Sequence, residues 1–324
     1  MPALDVGGVL LAACSIFFAL NMGGAGFSPS FSAALGAGIV RRGPALVLFT
    51  ICVGLGGVLI GGHVARTLGS NLVPAETIDR HTALVVIGSA TAALFVANLA
   101  KIPESTSWVT VFAVSSLGVV RGNLNWDTIL HRLLPAWVIV PVVAFFGTYL
   151  LARQLYPLRG WNYRIYEHLT KHEWKLRVLV ITSSAYLAVA VGANNLANVV
   201  APLASAGVFE VQTGMVLFTP LFALGGIVFF RSTKTIGSDV VPLGLYSASI
   251  MNVVVGSIVL VVSWLGLPQS LVHAQVLAVF GIALAKDGVH DLLRNRVVRR
   301  IALFWAVSPL VASTLVALLL LLFD

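Results

Sequence analysis

Apolar stretches long enough to cross a bilayer, at about 20 residues per crossing, recur along the whole chain and alternate with short polar runs. The first covers about 6–40. It is apolar to Leu20, breaks at Asn21-Met22-Gly23-Gly24-Ala25-Gly26-Phe27-Ser28-Pro29-Ser30, and closes before Arg41 and Arg42. A second covers about 44–60. After a polar loop with Arg66 and Arg80, an apolar stretch over 83–100 ends at Lys101-Ile102-Pro103-Glu104-Ser105-Thr106-Ser107, and a shorter one reaches Val120. Residues 121–132 read as a loop and 133–152 as an uninterrupted span. The longest polar stretch, 153–177, holds Arg153, Arg159, Arg164, Lys171, Lys175 and Arg177. Then the pattern starts again.

Within the next apolar stretch, 176–210, lies Gly192-Ala193-Asn194-Asn195-Leu196-Ala197-Asn198-Val199-Val200-Ala201-Pro202. Asparagine, glycine and proline are poor helix formers. Each Asn also brings two N–H donors and an acceptor to membrane depth. Irregular backbone survives there only where protein or a polar cavity satisfies it. The stretch therefore predicts an unwound helix lining a site for a polar solute. The plain alternative is Asn residues that join helices by hydrogen bonds.

The second half mirrors the first. Placing Gly23 on Gly192 aligns Leu48-Phe49-Thr50 with Leu217-Phe218-Thr219 and Gly56-Gly57 with Gly225-Gly226. With small register shifts, Thr67–Pro74 meets Thr235–Pro242, Pro103-Glu104-Ser105 meets Pro268-Gln269-Ser270, and Arg121 meets Lys286. Such duplications mark secondary transporters, whose sites lie between the repeats. If 83–120 and 242–286 are re-entrant hairpins, each repeat has three full spans and the second is inverted. One side then carries Arg41, Arg42, the six cations of 153–177, Arg231, Lys234 and five in 286–300; the other carries Arg66, Arg80, Arg121 and Arg132. That bias places the first set in the cytoplasm. The expectation is an all-α integral protein of the cell inner (plasma) membrane with broken helices, re-entrant hairpins and two inverted repeats. Repeat 1 covers 1–152, a cytoplasmic linker 153–175 and repeat 2 176–324, with both termini outside. The apolar legs before Pro103 and Pro268 are long for half-helices.

Composition agrees: 58% of residues are hydrophobic and 10% charged. The net charge of +8 is read as cytoplasmic loops, not nucleic-acid binding. Met1–Asp5 carries no basic residue, so the first apolar segment is expected to stay as a span. Cys14 and Cys52 sit in apolar stretches with no CxxC pattern and suggest neither metal nor disulfide. No cofactor motif stands out, so neither ATP-driven nor redox chemistry is supported. An intramembrane enzyme would need a nucleophile–base pair, and Ser105, Glu104 and His273 show no such spacing. An anion channel is the other competing class.

The chemistry gathers at four interruptions: 21–30, 103–107, 192–202 and 268–273. Helices starting after Pro103 and Pro268 would turn their N–H groups toward the centre, where anions bind well. Ser105, Thr106, Ser107 and Ser270 fall in those first turns, as caps or ligand donors. Glu104 is the carboxylate beside a tip, and His273 titrates near neutrality in ordinary surroundings. Both are candidates for proton coupling. Arg121 and Lys286 end the hairpins and either attract the anion or snorkel to the interface.

This arrangement resembles the inorganic phosphate transporter (PiT) family, whose two signatures read like G-A-N-D-x-A-N, each followed by a P-x-S-T-T-H tip. Here the second signature is Gly192-Ala193-Asn194-Asn195-Leu196-Ala197-Asn198, and the first survives as Met22-Gly23-Gly24-Ala25-Gly26-Phe27-Ser28-Pro29. The tips are Pro103–Trp108 and Pro268–His273. The resemblance implies a secondary transporter of an inorganic anion in a lipid bilayer, a homodimer, and no cofactor or metal. It implies a substrate site at Asn194, Asn195, Asn198, Ser105, Thr106, Ser107, Ser270, Gly23, Gly24, Ser28 and Gly192. The signature aspartates, associated in the family with sodium coupling and phosphate, are Gly26 and Asn195 here. Phosphate carries an acidic proton and welcomes a carboxylate; sulfate has none and wants donors. The departures thus point to the sulfate permease branch, with protons as the coupling ion. A sodium-coupled phosphate transporter is the alternative, and thiosulfate a further candidate substrate.

Overall fold

The apolar stretches fold into helices. The computed structural model describes residues 6–100, 104–156, 160, 162–163, 167, 171–229, 244–287 and 296–323. The first half contributes α1 (Val6–Gly36), α2 (Arg42–Asn71), α3 (Arg80–Leu99), α4 (Thr106–Val120) and α5 (Thr128–Ala152). The second contributes α6 (Glu173–Asn195), α7 (Ala197–Ser205), α8 (Val211–Val228), α9 (Leu245–Trp264), α10 (Leu271–Asp287) and α11 (Arg296–Phe323). Pro103, Lys101, most of residues 157–170, residues 230–243 with the Thr235–Pro242 match, and residues 288–295 lie outside the described residues.

Eight of these segments are long and apolar enough to cross a membrane, among them α3 and α9. At 20 residues each, these two legs reach about 30 Å at 1.5 Å per residue, a full bilayer core. They nevertheless lead to tips buried inside the protein, at Glu104–Ser105 and Gln269–Ser270. The faces turned outward are apolar: Val47, Ile51, Leu55 and Leu59 make an exposed stripe along α2, and Val138, Val142 and Phe146 along α5. Such surfaces suit hydrocarbon, since lipid needs no polar contact from the side chains it touches.

The packing is crosswise and repeats itself. α1 packs on α3 of its own half and on α8 of the other; α6 packs on α9 of its own half and on α2 of the other. α5 lies against α9 and α10, and α11 against α3 and α4. Each of these contacts has its counterpart in the other half. Glycines show this at atomic scale. A Cβ on Gly23 would collide with the Phe222 carbonyl, and one on Gly192 with the Val53 carbonyl; Gly56 meets Val189 and Gly225 meets Leu20 in the same way. All four contacts fit the register that places Gly23 on Gly192. Without a hydrophobic drive between helices in lipid, close backbone approach of this kind is what holds them together.

One expectation is corrected here. The stretch 21–30 is not unwound: α1 runs through it, Pro29 included. The stretch 192–202 is helical on both sides of a single turn residue, Leu196. Several polar side chains there find partners without breaking the helix. Ser30 Oγ donates to the Gly26 carbonyl at 2.8 Å, and Asn21 Nδ2 to the Phe17 carbonyl at 2.8 Å. Asn194 of α6 finds its partners outside its own helix.

Candidate functional site

Two hairpin tips meet at α6. At the first, Ser105 is the N-cap of α4: its Oγ accepts from the Trp108 N–H at 3.2 Å. At the second, Ser270 Oγ accepts from the His273 N–H at 3.1 Å. The caps occupy matching positions in the two repeats, and each satisfies one of the four orphan donors at a helix start. In this structure both serines are therefore engaged as caps.

Asn194 ties the tips together. Its Oδ1 accepts from Ser107 Oγ at 3.1 Å and from the Gln269 N–H at 3.1 Å. Its Nδ2 donates to Ser263 Oγ at 2.9 Å and to the Leu267 carbonyl at 3.3 Å. One turn on, Asn198 Nδ2 donates to Thr106 Oγ1 at 3.2 Å and Ser107 Oγ at 3.3 Å. Both amides are 0% exposed. The mirror junction in the first half is Asn98 Nδ2 to Asn21 Oδ1 at 3.0 Å, joining α3 to α1 as Ser263 joins α9 to α6.

Buried polar atoms with no hydrogen-bond partner among the described residues include Asn195 Oδ1, Asn198 Oδ1, Ser28 Oγ, Gln269 Oε1 and Glu104 Oε2. Buried polar groups are ordinarily paired, so these atoms retain unused hydrogen-bonding capacity. Of the glycines expected at the site, Gly23 and Gly192 press their Cα faces on neighbouring backbones and Gly24 meets Phe229; in this structure they set helix spacing.

Glu104 is 2% exposed. Its Oε1 accepts from the Ser105 N–H at 2.9 Å, and the Ser308 hydroxyl of α11 lies beside the carboxyl group. His273 is also buried. Its ring stands edge-on to Trp108, with centroids 4.4 Å apart, and 3.8 Å from the centroid of Trp305. Trp108 and His273 hold the same place after Ser105 and Ser270, so equivalent residues of the repeats touch. Trp305 and Ser308 are three residues apart on α11 and hence share a face. One turn of α11 therefore serves both candidate proton carriers.

Ser263 and Gln269 join the polar knot, and Asn98 the junction with Asn21, without having been singled out as site residues from sequence. A signal existed: Ser263 and Asn98 fall on each other in the register that aligns Pro103 with Pro268.

Buried asparagines knotted between two capped hairpin tips, inside an apolar helical bundle, define a multi-pass membrane protein with a polar centre. The sequence model of the phosphate transporter family matches residues 22–317, and the chain belongs to that family. It is a transporter, not an enzyme. Over 95% of its length it is 32% identical to "Sulfate permease CysP" of Bacillus subtilis, covering 86% of that protein. It is 23% identical, over 90% of its length and 91% of the relative's, to a "Putative phosphate permease" of Pyrococcus horikoshii. A solved structure titled "The sodium-dependent phosphate transporter" shares the fold, with a TM-score of 0.81 at 19% identity, over 98% of this chain and 99% of that one.

Proposed function

We propose that this protein imports sulfate by proton-coupled secondary transport, the anion sitting where Asn194, Asn195 and Asn198 meet the two tips. The observation that carries this reading is the character of the polar knot: amides, hydroxyls and N–H groups, with a single carboxyl group at its edge. A fully ionised oxyanion needs donors only. The Thr106 and Ser107 hydroxyls can donate or accept. An Asn198 amide turned by half a rotation keeps the Thr106 Oγ1 contact, with the hydroxyl now donating, gives up the Ser107 contact, whose hydrogen goes to Asn194 Oδ1, and directs its N–H groups into the unpartnered space. The sulfate permease of Bacillus subtilis, similar over nearly the whole chain, supports the same substrate.

The two repeats are inverted, with the basic loops in the cytoplasm, and access alternates as the halves rock about the knot. The crosswise, mutually matching contacts support a two-fold relation, and the distribution of Lys and Arg supports the orientation. Sulfate carries two charges, and an inside-negative potential opposes each by about 2.3 kcal/mol per 100 mV. Uphill import therefore requires cations. The signature positions that would carry sodium-binding carboxylates are Gly26 and Asn195, which leaves Glu104 and His273 to move protons.

The test is uptake of labelled sulfate into proteoliposomes under an imposed pH gradient, with phosphate and thiosulfate as competitors. Sulfate uptake that rises with external acidity and ignores sodium supports the reading. Sodium-dependent uptake of phosphate in preference to sulfate overturns it, in favour of the second reading. That reading draws support from the shared fold with a protein titled as a sodium-dependent phosphate transporter and from relatives named as phosphate permeases.

A further inference from the structure

Away from the polar knot, a cavity of about 500 Å³ opens between the second half of α2 and the turn that joins α7 to α8. His63, Arg66 and Ser70 of α2, Ala201 and Ser205 of α7, and Gln212 of α8 line it, and its lining includes no acidic side chain. The exposed stripe of α2, apolar at Val47, Ile51, Leu55 and Leu59, becomes polar at His63, Arg66 and Ser70. The cavity therefore opens where the hydrocarbon-facing surface ends. On this stretch α2 departs from α-helical winding twice, with π-helical turns at Gly57–Gly61 and Thr67–Asn71, a distortion that recurs at functional sites. Arg66 is exposed and has no carboxylate within ion-pair reach among the described residues.

Two further features favour an anion. α8, 18 residues long, starts at the rim, where Val211 and Gln212 join the lining, and Glu210 gives its first N–H groups no side-chain cap, so the positive end of its dipole lies beside the cavity. Glu210 itself is not part of the cavity lining. The floor also leads inward. Ala201 lies three residues beyond Asn198 on α7, about 4.5 Å of helix rise, so one helical turn separates the cavity from the knot.

We propose that this cavity is a capture vestibule for the transported divalent oxyanion, with Arg66 as the cation that draws it in. The proposal rests on the reading of the protein as an anion importer. It assigns the vestibule to the outer face, which has few basic residues, so that a single arginine dominates the local field. Fields of this kind raise association rates by about 10- to 1,000-fold and fade with ionic strength.

The experiment compares unaltered protein with Arg66→Gln and Arg66→Lys in proteoliposomes at low and high salt. In Arg66→Gln, sulfate uptake well below saturation should fall by about tenfold at low salt and converge on the unaltered rate at high salt. The maximal rate should stay within about twofold, and Arg66→Lys should retain most of the low-salt rate. In a second arm, a cysteine at Ser70 should react faster with an anionic than with a cationic thiosulfonate reagent. Sulfate should slow that reaction, and adding Arg66→Gln should abolish the preference. Low-salt uptake unchanged by Arg66→Gln would show that Arg66 only anchors α2 at the lipid headgroups, and would overturn the proposal. So would an equal loss at every sulfate and salt concentration, which signals structural damage. If the unaltered protein takes up no sulfate, the functional reading fails instead, and the labelling arm still reports whether the cavity selects anions.

Discussion

Asn194 uses every polar atom of its side chain, and the two tips depend on it. Replacing it by Ala removes four hydrogen bonds and strands the Ser107 hydroxyl and the Gln269 N–H in a buried site. Each stranded group costs about 1–3 kcal/mol. Asn194→Ala should therefore lower the thermal midpoint in detergent as well as abolish uptake; a full-stability variant with normal uptake would show that the knot is dispensable. Asn198 differs, because its Oδ1 has no partner among the described residues. Asn198→Asp keeps the volume and places a carboxylate where the anion is proposed to sit. Sulfate affinity should drop by at least about tenfold, equivalent to about 1.4 kcal/mol, with the thermal midpoint little changed. Binding isotherms and melting curves of the same preparation decide it. Glu104→Gln should flatten the dependence of uptake on external pH. An unaltered pH profile would clear Glu104 of proton coupling.

At the scale of helices, the glycine contacts make a paired prediction. Gly23→Ala and Gly192→Ala each force a methyl group onto a backbone carbonyl of the opposite half. Overpacking of this kind costs about 1–3 kcal/mol, and the two penalties should be alike because the contacts are copies. Unequal shifts in melting temperature would argue that the halves are held differently. The start of α3 supplies a pH-dependent contribution. Asp79 Oδ1 accepts from the Thr82 N–H at 2.8 Å while Thr82 Oγ1 accepts from the Asp79 N–H at 2.9 Å, a complete capping box. The Thr82 backbone donor holds the Asp79 carboxyl below its ordinary range. Its stabilisation is thus present above the ordinary Asp value and lost as pH falls through the lower folded-state value. Asp79→Ala should cost about 1 kcal/mol at neutral pH and much less in strong acid. A constant difference in melting temperature across that range would refute the assignment.

For the whole molecule, the decisive quantity is sidedness. Cysteines placed in 155–175 and 288–298 should be labelled by impermeant reagents from the cytoplasmic face, and cysteines in 121–127 from the opposite face. Labelling of the first two from opposite faces would remove the inverted repeat and, with it, the odd number of crossings per half. The length of α3 and α9 makes this measurement necessary: each leg can span a bilayer, yet each delivers its tip to the interior.

What the sequence determined follows from local properties. Apolar runs of about 20 residues dictate membrane helices. A duplicated register survives as matched glycines, prolines and serines, so the repeat, the tips and the Asn-rich stretch were legible before any fold was known. The structure decided what depends on distance across the chain. Poor helix formers at 21–30 and 192–202 suggested unwinding, but local propensity is weak beside the cost of unpaired backbone in hydrocarbon; only at Leu196 does the helix yield. That Asn194 joins Ser107, Ser263 and Gln269 could not be read from its spacing, because an asparagine at membrane depth demands partners without naming them. The glycines carried the opposite ambiguity. In sequence they fit a ligand cradle or a helix contact equally well, and only the opposing carbonyls of Phe222 and Val53 show that Gly23 and Gly192 pack the two halves together.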